Sequence, residues 1–143
     1  MPPPDLAAGA VTLRFERIVP AEPEKGLVPF YHFRILVKDT DVGHINLRIG
    51  DTEHVRLYAG HIGYQVLEPF RGHNYALQAC CALAPFVRSL YPSVIITANP
   101  ENYASLRTIE ALRTTFLDEV VVPDHDPHFA SGNRIKRRYR WTL

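Results

Sequence analysis

A change in hydrophobic period at Asn74 constrains the fold of this chain more than any other feature of the sequence. Before Asn74, apolar and polar residues alternate in short runs, the pattern of half-buried β-strands; the runs cover residues 11–18, 31–38, 44–49 and 60–66. From Asn74 to Leu90, apolar residues recur at three- and four-residue steps, which predicts a helix with one buried stripe. The chain therefore combines several strands with an amphipathic helix.

The second half of the chain continues with alternating strands and helices. A short apolar run at 94–97 predicts a covered strand, residues 103–113 a second helix, and residues 116–122 and 134–143 two further strands. A strand–helix–strand crossover joins parallel strands. We therefore predict an α+β fold, in which a mixed, mostly antiparallel sheet contains one parallel pair around a central strand–helix–strand unit and is flanked by helices.

Turns and chain length set the domain organisation. Residues 39–43 predict a tight reversal, so the strands on either side should form an antiparallel hairpin. The stretch at 123–133 predicts a polar loop. A chain of 143 residues suits one domain with one core. We place that domain at 11–143 and predict a flexible tail for the proline-rich residues 1–10.

Composition and charge exclude several classes of partner. The net charge of +1 creates no strong field toward nucleic acid or an acidic membrane. No apolar run approaches the roughly 20 residues that span a bilayer, and the N-terminus lacks the basic and apolar segments of a secretory signal. Cys80 and Cys81 are adjacent in the predicted helix, which makes them a poor disulfide and gives no metal-site spacing. We therefore expect no metal and a reducing, cytoplasmic compartment.

The junction between the strand at 60–66 and the helix from Asn74 has the features of an anion site. The first N–H groups of a helix have no partner within it and carry the positive end of its dipole, so such turns bind phosphates. Gly72 allows the backbone to approach a ligand closely, and Arg71 can add a bidentate charged contact. The alternative is an ordinary loop, in which Arg71 is solvated and Gly72 serves only the turn.

Two segments carry a resemblance to the GNAT superfamily of acetyl-CoA-dependent N-acetyltransferases. The first resembles the acyl-CoA-binding pattern Arg/Gln-x-x-Gly-x-Gly/Ala; its positions are Arg71, Gly72, His73, Asn74, Tyr75 and Ala76. Asn74 replaces the central Gly, and Asn tolerates a positive φ better than other side chains. The second resembles the Asn-x-x-Asn-x-x-Ser pattern of one subgroup, followed by a helical Glu; its positions are Asn99, Asn102, Ser105 and Glu110.

The resemblance implies a fold and a binding mode for acetyl-CoA. In a GNAT-like fold the fourth and fifth strands splay apart, and the pantetheine arm lies in the opening. Backbone groups of Val66 and Leu67 would bond the pantetheine, the N–H groups of 71–76 would hold the pyrophosphate, and Asn99 and Asn102 would line the opposite wall. A primary amine would then attack the acetyl thioester directly in a ternary complex. A backbone N–H of the fourth strand would stabilise the oxyanion.

The resemblance leaves the acid and the base of that reaction open. Many GNAT enzymes carry a Tyr seven residues after the motif Asn, and that position is Ile109 here. Ser105 is the nearest polar candidate for a contact with the thioester sulfur; the alternative is a hydroxyl that bonds its own backbone. Glu53, His54 and His61 are the candidate bases, but we expect each to be an ordinary surface residue and name none, because a water chain can serve.

The chain also departs from the family at the end of the second helix. After the helical Glu the family usually has glycine-rich residues, whereas this chain has Arg113 and Thr114. That departure puts the turn into the next strand in question.

Two other clusters have alternative interpretations. The loop PDHDPHF places Asp124, His125, Asp126 and His128 together, but without helical presentation or a third ligand at a recognised spacing we expect a solvated loop, which could border the amine pocket. Strand alternation in RIKRRYRW places most of its basic side chains on one face, namely Arg134, Lys136, Arg138 and Arg140. We interpret this as a solvated basic face rather than a nucleic-acid site.

The leading hypothesis from the sequence is an N-acetyltransferase that moves acetyl from acetyl-CoA to a primary amine, on a small molecule or a protein N-terminus. A homodimer is compatible with it. The rival hypothesis is an acyl-CoA-binding module without transfer activity, because the family Tyr is absent at Ile109 and Arg113 and Thr114 depart from the family pattern. A third is an adaptor that binds nucleic acid or protein through the basic strand.

Overall fold

A computed structural model describes all residues from Met1 to Leu143. The first sheet has five strands in sequence order, and every neighbouring pair is antiparallel; the strands are β1 (Ala7–Ala8), β2 (Val11–Val19), β3 (Phe30–Val37), β4 (Thr40–Arg48) and β5 (Ile62–Val66). The predicted hairpin is present, and its reversal is tighter than expected. Lys38 and Asp39 take φ of 49° and 67°, so the strand resumes at Thr40.

The second sheet has three strands in the order β6–β8–β7, again with antiparallel neighbours; they are β6 (Ser93–Ala98), β7 (Thr115–Val121) and β8 (Ile135–Thr142). The helices are α1 (Tyr75–Leu90), α2 (Tyr103–Ala111) and the short α3 (Pro127–Ala130). A π-helical segment covers His54–Ala59, and 3₁₀ turns cover Pro23–Lys25 and Glu68–Phe70. No helix has the length and apolar character that crossing a bilayer requires.

The structure corrects the predicted parallel pair. The strands before and after α1 are β5 and β6, and they form no ladder. One backbone hydrogen bond joins the two segments, from the N–H of His61 to the C=O of Ile95 at 2.7 Å. The strands belong to different sheets because the backbone groups beyond this point face an open cavity instead of each other.

One hydrophobic core connects both sheets and α1. It contains Ile45 from the first sheet, Leu83 and Val87 from α1, and Ile96 and Trp141 from the second sheet, all nearly or fully buried. One stripe of α1 packs against both sheets, as the change of period predicts, but it is shifted. Cys81 and Leu90, which the three- and four-residue steps place on the stripe, are exposed, whereas Ala79, Cys80 and Phe86 are buried.

The start of the chain is also more ordered than predicted. The flexible tail expected for residues 1–10 is packed from Leu6 onward: Leu6 is buried in the core, and β1 pairs with β2. The N–H of Ala10 donates to the side-chain oxygen of Gln78 on α1 at 2.7 Å. These contacts come from distant parts of the chain, so the proline-rich composition gave no sign of them.

Candidate functional site

A large cavity lies where β5 and β6 diverge. It has a volume of about 820 Å³, within the range of small-molecule sites. Its walls come from both sheets, from the first turn of α1 and from one side of α2 along its length. The imidazole of His61 fixes the closed end of the opening, because its Nδ1 accepts from the N–H of Ile95 at 3.0 Å. His61 is therefore a buried structural residue and not the surface residue that we expected.

The register of β5 decides which backbone groups face the cavity. The N–H of Leu67 donates to the C=O of Val42, and the N–H of Arg48 donates to the C=O of His61. Alternate residues of an antiparallel strand bond the same neighbour, so the backbone groups of Tyr64 and Val66 point to the open edge.

This register corrects the prediction for Leu67. Val66 lines the cavity, but Leu67 does not. Its N–H is engaged by Val42, and its C=O accepts from the N–H of Phe70 at 2.9 Å. The backbone groups of this strand edge that face the cavity are therefore two residues apart, at Tyr64 and Val66, rather than at consecutive positions, and the C=O of Val66 also accepts from the side chain of Arg71.

The turn before α1 presents a run of unpaired backbone donors. No protein group accepts a hydrogen bond from the N–H groups between Gly72 and Leu77. Gly72 has φ of 92°, and Asn74 has φ of 60° and ψ of 28°. The left-handed conformation predicted for Asn74 is thus confirmed. These two residues turn the chain sharply enough to aim consecutive N–H groups outward.

Most residues of the predicted phosphate turn line the cavity; they are Arg71, Gly72, Asn74, Tyr75 and Ala76. The exposed side chain of Arg71 folds back, so that its Nε donates to the C=O of Val66 at 2.9 Å. The side chain of His73 does not line the cavity, since its ring stacks on Tyr75 with centroids 5.2 Å apart. His73 contributes only its free backbone N–H to the turn.

The opposite wall is formed by Asn99, Asn102 and Ser105, all of which line the cavity. Asn102 caps α2, because its Oδ1 accepts from the N–H of Ser105 at 3.3 Å. The side-chain oxygen of Asn99 is buried and has no partner in the protein. A buried acceptor without a partner is costly, so Asn99 is suited to receive a donor from a ligand.

Tyr64 is a site residue that the sequence analysis missed. Its hydroxyl lies 2.8 Å from the hydroxyl of Ser105, across the cavity from β5 to α2. The Ser105 hydroxyl therefore pairs with Tyr64 and not with its own backbone. Burial raises the pKa of Tyr64, which keeps the phenol protonated at neutral pH. The strand alternation that places Tyr64 on the face of Val66 was the signal that could have found it.

Ile109 occupies the position where many family members carry a Tyr. It is fully buried in the core and does not line the cavity. A hydroxyl of α2 at that position would therefore not reach the site of this chain without repacking the core. The phenol at the cavity comes from β5 instead.

The end of the cavity away from the phosphate turn carries two cations, on Arg48 and Lys136. Lys136 is only 7% exposed, which corrects the solvated basic face predicted for β8 at that position; Arg134 and Arg140 are exposed as expected. The middle of the face is covered because the segment His54–Ala59 packs on it; the guanidinium of Arg138 donates to the C=O of Arg56 at 3.0 Å. Burial lowers the pKa of Lys136, and the nearby charge of Arg48 lowers it further.

The predicted polar loop is solvated at Asp124 and His125, as expected, but is docked from Asp126 onward. Asp126 is buried. One of its carboxylate oxygens accepts from the N–H of His128 at 2.9 Å, and the other forms a hydrogen bond of 2.8 Å with Nδ1 of His54. His54 is therefore buried too, while the side chain of Glu53 is exposed as expected. His54 reaches the cavity only through His128, whose ring meets its own at 5.1 Å. Burial and the charge of Lys136 lower the pKa of His128 to about 4.

A search for related proteins identifies the domain family. The profile of the acetyltransferase (GNAT) domain matches residues 2–115 of the chain. No curated protein sequence matches.

Solved structures similar to this chain include acetyltransferases with and without ligands. RimL, the ribosomal L7/L12 alpha-N-protein acetyltransferase in complex with coenzyme A, is 16% identical over 80% of this chain, with a TM-score of 0.60. An acetyltransferase from Agrobacterium tumefaciens is 20% identical over 80%, with a TM-score of 0.58. The microcin C7 self-immunity acetyltransferase MccE, in complex with acetyl-CoA and AMP, is 16% identical over 85%, with a TM-score of 0.59.

The match to these structures is one of fold. The aligned region covers 62%, 61% and 63% of those three chains, respectively. This chain therefore corresponds to about three fifths of the length of each relative. At these identities the likeness shows the shared α+β fold, an antiparallel curled sheet with helices, and the residues of the site have to be argued from the chain itself.

Proposed function

Because the chain belongs to the GNAT acetyltransferase family, we propose that it transfers an acetyl group from acetyl-CoA to a primary amine by direct attack in a ternary complex. One observation carries the proposal: the unpaired N–H groups from Gly72 to Leu77 stand beside Arg71 at one end of the cavity between β5 and β6. Such a group of donors suits a pyrophosphate. RimL and MccE have been solved with coenzyme A and acetyl-CoA, respectively, which supports the same co-substrate here.

The cavity walls support a pose for the pantetheine arm. The arm would run from the turn along the open edge of β5 and bond the backbone of Val66 and Tyr64 as an added strand does. On the other wall, the unpartnered oxygen of Asn99 would accept an amide N–H of the arm. Asn102 is held by its capping bond to Ser105, so it would line the arm without moving. Arg107 also lines the cavity and adds a cation for the phosphates.

The reaction forms a C–N bond and breaks the C–S bond of the thioester. The carbonyl oxygen would be stabilised by a backbone N–H on the open edge of β5. The hydroxyls of Tyr64 and Ser105 together hold two protons, and the hydrogen bond between them uses one. The other is free to protonate the leaving thiolate, and water, which takes up the proton that the amine loses, returns one to the hydroxyl pair.

The ammonium proton of the acceptor must leave the site as the amide forms. His128 is the imidazole at the cavity, but a base with a pKa of about 4 holds a proton poorly at pH 7. We therefore route the ammonium proton to water. Both cysteines of the chain are free thiols, which agrees with the reducing, cytoplasmic compartment that we propose for the reaction.

A second candidate function is acyl-CoA binding without transfer. The observation that favours it is Ile109, which leaves no hydroxyl at the position where many GNAT enzymes place their acid. The pair of Tyr64 and Ser105 favours transfer, because it supplies a hydroxyl from β5 and α2. Release of free CoA thiol in the presence of amines separates the two functions.

Calorimetric titration with acetyl-CoA tests the binding that both functions share. We expect Arg71→Ala to weaken acetyl-CoA binding about tenfold, because a charge-assisted contact to phosphate contributes roughly 1.5 kcal/mol. Arg88→Ala is the matched control, an exposed arginine near the other end of α1. Equal losses in the two variants, or no binding by the folded wild type, would contradict the phosphate assignment.

A further inference from the structure

We propose that the acceptor amine carries a carboxylate, which Arg48 and Lys136 bind at the end of the cavity opposite the phosphate turn. The inference rests on the proposed acetyltransferase function and deepens it by naming a class of acceptor. In the proposed pose of acetyl-CoA, neither of these two cations contacts the co-substrate.

Lys136 is a buried cation without an ion-pair partner. Its side chain lies on β8, is buried except where it lines the cavity, and makes neither a hydrogen bond nor a salt bridge in the protein. Removing an ammonium group from water without a partner is costly. An anionic ligand that pairs with this ammonium group offsets the unfavourable free energy of its desolvation, and that gain adds to the affinity for the ligand.

Arg48 lies beside Lys136 and has donors to spare. Its Nη1 donates to the C=O of Ala59 at 3.3 Å and of Gly60 at 3.2 Å, which fixes the plane of the guanidinium. Its Nε and Nη2 have no partner in the protein. Burial lowers the pKa of Arg48, and no carboxylate lies within ion-pair distance of it. A guanidinium held in this way is preorganised for a bidentate carboxylate.

The surroundings of the pair supply no internal counter-ion. No Asp or Glu is among the residues that line the cavity. Asp126 and Glu101 are close enough to raise the pKa of Lys136 slightly, yet neither forms an ion pair with it. Both oxygens of Asp126 are already used, one by His54 and one by the N–H of His128. The cation pair, defined as Arg48 and Lys136, therefore has no carboxylate of the protein in ion-pair contact.

The position of the cation pair excludes the phosphates of acetyl-CoA as its partner in the proposed pose. Arg48 lies against Gly63, near the start of β5, because a Cβ at Gly63 would meet its Nη2 at 3.1 Å. The phosphate turn begins beyond Val66, at the other end of the strand. Gly63 and Val66 are about 10 Å apart along an extended chain, and the turn adds to that separation. The acceptor enters from the side of the cation pair.

Two kinds of amine present this chemistry. A free α-amino acid carries its carboxylate next to the amine, and an acidic peptide carries one in a side chain near its N-terminus. Both offer a carboxylate to a guanidinium and an ammonium group. The shared feature is the carboxylate, and the length of the acceptor separates the two sources.

The experiment compares acceptors that differ only in the carboxylate. Release of CoA thiol is measured with α-amino acids against their amides, and with peptides that have Asp or Glu at the second residue against peptides with Asn or Gln. We expect kcat/KM to be at least tenfold higher for the acid of each pair. A preference confined to the amino acids or to the peptides identifies the source.

Variants assign the preference to the cation pair. Lys136→Met should raise KM for the acid about tenfold while leaving the Kd of acetyl-CoA unchanged, and Lys136→Arg should restore the preference. Arg140→Met is the matched control, an exposed cation on the same strand that does not line the cavity. Because Lys136→Met removes an unpaired buried charge, we expect it to fold. Arg48→Lys, which keeps the charge but loses the fork, should reduce the preference only in part.

Direct binding separates failure of this inference from failure of the proposed function. Calorimetric titration of acids and amides into the complex with CoA measures recognition without turnover. Tighter binding of acids, lost in Lys136→Met, supports the carboxylate site even if no amine is acetylated. Equal binding of acids and amides overturns the inference, whatever the turnover shows. A loss of acetyl-CoA affinity in Lys136→Met also overturns it, since the cation pair would then serve the phosphates.

Discussion

Replacing Arg113 by glycine should stabilise the protein, because Arg113 holds a backbone conformation that glycine adopts more easily. Arg113 follows α2 and has φ of 60°, and its N–H donates to the C=O of Glu110 at 2.9 Å. A left-handed residue after the last turn is a common way to end a helix, and it is usually glycine. The departure from the family at this position therefore keeps the turn and adds strain to it.

The size of the effect follows from two opposing contributions. A left-handed backbone costs a residue with a Cβ about 1–2 kcal/mol, and glycine avoids that cost. Glycine also gives the unfolded chain more freedom, which costs about 0.5–1 kcal/mol. The net stabilisation expected is about 0.5–1 kcal/mol. A chain of 143 residues has an unfolding entropy of about 0.3 kcal/mol per kelvin, so Tm should rise by about 2–3 °C.

Thermal unfolding followed by circular dichroism or calorimetry measures this shift. Arg113→Ala is the matched control, because it removes the same exposed side chain and keeps the left-handed strain; we expect its Tm to stay within 1 °C of wild type. Acetyl-CoA affinity should be unchanged in both variants, since neither alters the cavity walls. If the glycine variant is no more stable than the alanine variant, the strain assigned to Arg113 is refuted.

Two further predictions concern the groups around the thioester. Tyr64→Phe should lower kcat for thiol release by about 10–100-fold at an unchanged Kd of acetyl-CoA, because Ser105 keeps its hydroxyl but loses the second proton of the pair; an unchanged kcat would remove the pair from the mechanism. His128 binds a proton near pH 4 when folded and near pH 6.5 when unfolded, so the unfolded chain binds more protons between these values. The stability that neutral His128 contributes is complete above pH 6.5 and is lost as the pH falls toward 4. After allowance for the partial exposure of the ring, wild type should lose about 1 kcal/mol more than His128→Asn between pH 7 and pH 5 in urea unfolding, and parallel pH profiles would contradict this.

Local patterns predicted the elements and the turns that depend on their own residues. The change of period at Asn74 marks the start of α1, and the left-handed φ of Asn74 follows from the tolerance of Asn for that conformation. The capping role of Asn102 likewise depends only on the residues that follow it. The α+β fold and the GNAT resemblance are confirmed, while the subgroup with the Asn-x-x-Asn-x-x-Ser pattern stays a prediction.

Features that depend on the meeting of distant segments were not predictable in this way. A strand–helix–strand unit indicates which strands are neighbours, but whether β5 and β6 pair depends on the space left between the sheets. The burial of Leu6 similarly requires α1 to be in place, about seventy residues later in the sequence. The predicted free group at Leu67 failed for a related reason. Sequence alternation separates the residues of a strand into two sets, and only the register with Val42 shows which set has its backbone groups on the open edge.

Lys136 shows that a correct strand pattern can still give a wrong prediction of which side chains are buried. Alternation in β8 separates Lys136 and Arg138 from Tyr139 and Trp141, as the structure also does. It does not show what covers the basic face, and the cover is the backbone near Arg56, 82 residues earlier. Arg138 tolerates this cover because Asp118 pairs with it at 2.7 Å. Lys136 has no such partner, so within one face of one strand the structure distinguishes a compensated cation from one that is left for a ligand.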